Sequence, residues 1–227
     1  MSGQYQPWKA KHPSDLPEGI SLFPLPAALL LPRSHLPLHI FEPRYVAMVN
    51  EALRTPERLV GMIAPIGTAE LDPQPHDARL SLIGCAGRIS RFHETEDGRL
   101  MITLSGISRF RLIEEIEGFT PWRRGRVDWS NFARDLGGPE EDPEMERESF
   151  LAQVSRFLLQ RGMSVDINAL SGASNEEIVN VLCAICPFAS DDKQALLEAP
   201  SLATRRQTLS ALIEFSLLGG DNNGPLQ

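Results

Sequence analysis

Two cysteines three positions apart, Cys183-x-x-Cys186, are the side chains of this sequence best suited by type and spacing to redox or metal chemistry. A redox pair works as a thiolate, which a helix N-terminus stabilises. Here the pair falls at the end of the helix-like run "SNEEIVNVLCAIC", directly before Pro187, where the dipole opposes that charge. A structural zinc site needs about four ligands, and Cys85, the third cysteine, brings no second pair. The spacing therefore predicts two small buried side chains. His35 and His39 stand four apart in an extended stretch, on the same side but without a helix to fix metal geometry, and His12, His76 and His93 are scattered. No metal site is expected.

Other catalytic sets are missing. No glycine precedes a lysine, so there is no G-x-x-x-x-G-K-[ST] loop to cradle phosphates, and no G-x-S-x-G elbow occurs. A Ser–Lys pair would have to draw on Lys9, Lys11 or Lys193, none of them in a strained turn context. The neighbouring acids Glu140–Glu141 and Asp191–Asp192 read as linker charge and helix caps. No catalytic residue and no cofactor follow from this sequence.

The elements that would position any site are legible from the patterning. Residues 1–19 are polar and proline-bearing, and predict a flexible arm. From Ile20 short apolar runs broken by proline ("ISLFPL", "ALLL", "LPLHI") predict edge strands. After Glu42 the pattern turns helical: Tyr45, Met48, Val49, Ala52 and Leu53 share one stripe, and Pro43 suits the first turn of a helix over 43–54. Residues 58–67 read as a buried strand, 68–79 as a loop, and 80–92 as a long strand whose glycines permit a bulge. Asp97–Gly98 predicts a hairpin turn, and 107–116 and 121–129 predict further strands.

Composition then shifts. Residues 131–141 predict a Gly-Pro-acidic linker, and 142–218 an all-helical part. Asp142 would cap its first helix, with Pro143 in first position and Phe150, Val154, Phe157 and Leu158 on the buried face. Ser174 and Glu177 have the spacing of a capping box, with Ile178, Leu182 and Ile185 facing inward. Residues 219–227 predict a flexible tail.

Bulk properties narrow the partners. The chain of 227 residues carries a net charge of −8, and its acids concentrate in residues 128–227, with 16 acidic against 7 basic side chains. Such a surface repels phosphate backbones, so nucleic acid is disfavoured. Eight arginines in residues 85–127 (Arg88, Arg91, Arg99, Arg109, Arg111, Arg123, Arg124 and Arg126) keep a local basic patch open as an alternative. No apolar run reaches the ~18 residues a membrane span needs, and the N-terminus has no apolar signal core. With three cysteines, the expected compartment is a reducing cytoplasm.

The stretches "LFPLPAALLLPRSHLPLHIFEPRYVAMV" and "GRISRFHETEDGRLMITLSGISRFRL" resemble the N-terminal substrate-binding domain of the Lon protease, over about residues 20–130. The segment "PFASDDKQALLEAPSLATRRQTL" resembles the helical part that follows it in stand-alone members. The resemblance implies an α+β fold: a PUA-like pseudobarrel followed by a helical bundle. It implies a role in recognising unfolded or partly folded polypeptides or a protein partner, through a groove between barrel and helices. The ATPase and Ser–Lys peptidase modules of the protease have no counterpart among these motifs, so the expectation is a non-enzymatic binding module. PUA-like barrels also bind RNA, which is the alternative, and a small-molecule enzyme with an unrecognised site is the third reading. Within the matching stretch, Phe41, Glu42, Arg44 and Tyr45 are the candidate partner-binding residues, with structural support of the strand-to-helix corner as their preferred role.

Overall fold

The computed structural model describes residues 8–67, 78–163 and 172–219, and the expected loop at 68–79 lies largely outside them. The chain divides into two compact units, Met1–Gly138 and Pro139–Gln227.

The first unit is built around one long strand. Among the described residues its strands are β1 (Gly19–Pro24), β2 (His35–Ile40), β3 (Leu59–Ile63), β4 (Ile83–Glu94), β5 (Leu100–Glu115) and β6 (Arg124–Asp128), with one α-helix, α1 (Pro43–Leu53). β5 alternates buried Leu100, Ile102 and Leu104 with outward Met101, Thr103 and Ser105, the period-two pattern of a half-buried strand. Gly98, at φ 77°, turns the chain from β4 into β5. One edge of β5 pairs with β4 along its length; the other pairs with β2 over Leu100–Ser105 and with β6 over Arg111–Glu115. β6 pairs with β1, β1 runs parallel to β3, and β3 pairs with β4. The pairings thus close a ring of five strands, with β2 added outside it. Closure removes the free edges that an open sheet would expose.

The interior is filled by Ile20, Leu22, Leu59, Ile63, Phe110, Leu112, Val127 and Trp129, with Phe110 edge-on to Trp129 at 5.7 Å between ring centroids. Gly84 makes room for Phe110: a Cβ there would stand 2.5 Å from the ring and 2.6 Å from the Met62 carbonyl oxygen. Two register shifts in the β4–β5 ladder supply curvature: one, at Ala86/Gly87, skips Ile107 of β5, and the other, at Ile89/Arg91, skips Ser90 of β4.

Several expectations are corrected. β1 is not an edge strand: its first half pairs with β6 and its second with β3. Leu29, Leu30 and Leu31 are buried but form no strand, because prolines on both sides break any ladder and Ala27 and Arg33 take positive φ. Residues 8–18, expected as part of a flexible arm, lie against the barrel. Ala10 and Leu16 enter its core, Trp8 packs beside them, and the Trp129 Nε1–H donates to the Pro17 carbonyl at 2.9 Å. Three isolated anchors have no period for a sequence reading to detect. The linker expected over 131–141 is for the most part a 3-10 turn, Ser130–Leu136, whose Asp135 is buried.

The second unit contains α2 (Arg147–Gln160), α3 (Asn175–Ile185), α4 (Ser190–Glu198) and α5 (Leu202–Leu217). Phe150, Val154, Phe157 and Leu158 form the buried face of α2 as the spacing predicts, and Phe157 stacks on Phe188 at 5.4 Å. The Ser174–Glu177 capping box forms in both directions. Asp142 does not cap a helix. α2 begins five residues later, and the buried Asp142 carboxylate meets Arg206 Nε at 2.5 Å. Ile185 faces solvent rather than the interior.

Candidate functional site

The stretch Leu36–Tyr45 is where an edge strand becomes a helix. Among the described residues β2 pairs only with β5, and its register shows what its other edge offers. The Gly106 N–H donates to the Ser34 carbonyl at 2.9 Å, which makes His35/Ser105, Pro37/Thr103 and His39/Met101 the pairs without mutual hydrogen bonds. The Pro37 nitrogen therefore lies on that other edge, where its missing N–H takes no bond from the ladder. The same geometry removes the donor that an added strand would need there.

At the end of β2 the Glu42 carbonyl accepts the N–H groups of Tyr45 and Val46, starting α1 with Pro43 in its first turn. The Glu42 carboxylate faces back to Arg44, accepting Nε–H and lying 3.0 Å from Nη2, with the two side chains 24% and 15% exposed. The Arg44 guanidinium sits 4.4 Å over the Tyr45 ring, and Tyr45 packs at 4.3 Å against Phe23. Burial pushes the Tyr45 hydroxyl above the usual phenol range, with the Arg44 charge acting in the opposite sense. Phe41 breaks the pattern: it is 60% exposed. It borders a small cleft of about 70 Å³ lined by Phe23, Leu25, Leu38, Ile40 and Tyr45, with His39 and Glu42 as the polar members. Glu42, Arg44 and Tyr45 thus interlock, and Phe41 alone of the four projects outward. Sequence reasoning missed Phe23 and Leu25, which reach the cleft from β1 and the turn after it.

The other candidates are not assembled. Cys183 and Cys186 are free thiols buried at the end of α3. Burial pushes them up to about 12 and about 11, so neither is a thiolate near neutral pH. Among the described residues no group of three or more His, Cys, Asp or Glu side chains is placed to hold a metal ion. No described helix is long and apolar enough to cross a membrane.

The arginine series is largely committed to acids and carbonyls. Arg109, 5% exposed, makes a two-pronged pair with fully buried Asp135, at 2.9 Å from Nε to Oδ2 and 2.8 Å from Nη2 to Oδ1. Arg123 pairs with Glu115, Arg126 with Glu114 and Arg99 with Asp97, while Arg88 reaches the Pro56 carbonyl at 2.8 Å. Arg91, Arg111 and Arg124 have no such partner among the described residues. Asp135 is the residue that sequence reading could not foresee, since its partner stands 26 residues away in the chain.

Comparison with known proteins agrees with this architecture. Residues 19–214 match the family described as ATP-dependent protease La (LON) substrate-binding domain. The Lon protease of Desulfosudis oleivorans is 33% identical over 217 residues, covering 92% of this chain and 26% of that protein. Lon protease 2 of Myxococcus xanthus is 23% identical over 206 residues, covering 88% of this chain and 24% of the relative. The chain thus spans about a quarter of the length of these relatives. Among solved structures, the Lon N-terminal domain protein from Xanthomonas campestris superposes with a TM-score of 0.57 at 23% identity, over 85% of this chain and 97% of that one. The N-terminal domain of Mycobacterium avium complex Lon protease gives 0.56 at 15% identity, over 86% and 98%. A closed barrel leading into a helical unit, matched over nearly its whole extent by one family, places this chain in the Lon substrate-binding domain family.

Proposed function

We propose that this chain is a non-catalytic polypeptide-recognition module, acting as an adaptor in cytoplasmic protein quality control. Its client is an unfolded or partly folded protein that presents an apolar side chain to the corner of β2 and α1. Membership of a substrate-binding family supports the client class, and the observation that carries the site is Phe41, an aromatic ring exposed beside an apolar cleft. Apolar pockets with few polar anchors are the usual form of such sites. Pro37 on the edge of β2 away from β5 favours insertion of a side chain over addition of a strand there. In this reading Phe41 touches the client, while the Glu42–Arg44–Tyr45 group holds the ring in place.

Calorimetric titration with a permanently unfolded protein, reduced and carboxymethylated, tests the proposal. Binding is expected with the unmodified chain and is expected to weaken by about tenfold in Phe41→Ser. Equal affinity in the variant, or peptide cleavage or ATP turnover by the purified chain alone, is incompatible with it.

A further inference from the structure

We propose that the outer face of β2, β5 and β4 carries a copper(I) site formed by His39, Met101 and His93. This does not depend on polypeptide binding. Met101 is opposite His39 in one ladder and opposite His93 in the other. Directly opposite residues of antiparallel strands project to the same face, so the three side chains form one row across three strands. His39/Met101 is a pair without mutual hydrogen bonds, the kind whose side chains approach most closely. The two histidine Cα atoms are then two strand spacings apart, about 10 Å, leaving room for two imidazoles to converge on an ion above the central sulfur.

All three ligands are accessible. Met101 is 46% exposed and both histidines are exposed. His12 and His35 spend a ring nitrogen on Ser14 and Ser105, whereas the rings of His39 and His93 have no hydrogen-bond partner among the described residues. The Phe41 ring lies edge-on to His39, with centroids 6.0 Å apart, and limits its range on one side.

The choice of ion follows from the donors. Imidazole serves zinc and copper alike, so the choice rests on the thioether: a soft neutral sulfur suits copper(I) and is a poor donor to zinc, while calcium and magnesium take oxygen ligands. The row contains no carboxylate, and the next row on the same face, Pro37–Thr103–Arg91, adds a positive charge. That charge disfavours a divalent ion more than a monovalent one.

The test is titration of the full chain, labelled with 13C-methyl methionine, with silver(I) as a redox-inert analogue of copper(I). Of the six methionine methyl signals, that of Met101 is expected to move and to saturate near one equivalent. Competition against a chromophoric copper(I) chelator is expected to show about tenfold weaker binding in Met101→Leu and in His93→Gln. Both exchanges are on the surface, so the melting temperature is expected to stay put, which separates ligand loss from unfolding. A Met101 signal that stays still while metal is taken up, as the buried cysteines would produce, overturns the proposal. So does undiminished affinity in Met101→Leu.

Discussion

At the scale of single residues, the decisive feature is where buried charge finds its partner. Arg109 and Asp135 are both withdrawn from solvent and joined by two side-chain hydrogen bonds, with a third from the Arg109 backbone N–H to Asp135 Oδ2 at 2.9 Å. Removing Asp135 leaves the buried Arg109 charge without its carboxylate. Asp135→Ala is therefore expected to destabilise the fold by about 3–5 kcal/mol, read as a lower urea midpoint at unchanged slope; an unshifted midpoint would contradict the buried-pair account. The corner residues divide differently. Arg44→Ala loses an ion pair and a stacked ring in a mostly covered site, so a loss of about 1–2 kcal/mol is expected. Phe41→Ser, at an exposed position, is expected to stay within about 0.5 kcal/mol of the parent. Thermal melts of the two variants side by side check this, and a large drop for Phe41→Ser would make that ring a packing residue.

At the scale of elements, β5 owes its dual pairing to a glycine. Gly106 sits where β5 leaves β2, and a Cβ there would stand 2.0 Å from the Leu31 carbonyl oxygen. Backbone cannot yield as a side chain tip can, so Gly106→Ala is expected to cost about 3 kcal/mol or more. Full stability in that variant, measured by denaturant melt, would mean the Leu31 loop moves freely. On α3, Ser174→Ala removes one half of a reciprocal cap and is expected to cost about 1 kcal/mol. The other end of α3 supplies a pH dependence. A thiol is neutral when protonated, and burial raises Cys183 and Cys186 from 9.0 to about 12 and about 11. The unfolded chain thus releases these protons first, and the stability they contribute is present below pH 9.0 and is lost as pH rises toward 11–12. Both thiols are also expected to resist a thiol reagent at pH 8 until denaturant is added. Rapid labelling of the folded chain would count against their burial.

At the scale of the whole molecule, charge separates the polypeptide-binding reading from the RNA-binding one. The acids of residues 128–227, and the ion pairs that take up four of the eight barrel arginines, lower the positive potential that would attract phosphate. A gel shift with structured RNA is expected to show no retardation at 150 mM salt, in the range where the Debye length is about 8 Å. A salt-sensitive shift at low protein concentration would revive the RNA reading.

How much of this was legible beforehand depended on whether the information was local. Periodicity, capping and turn chemistry act within a few residues, so α1, the β4–β5 hairpin, the α2 core face and the Ser174–Glu177 box could be placed from sequence alone. The motif in Leu36–Tyr45 marked the family for the same reason. What only the tertiary structure decided was pairing across distance. Asp135 looked like linker charge until Arg109 was brought to it, 26 residues away in sequence, and Trp8, Ala10 and Leu16 looked like an arm until the barrel closed beneath them. The row His39–Met101–His93 likewise exists only because two ladders set their register, which long-range hydrogen bonding fixes and no local pattern encodes.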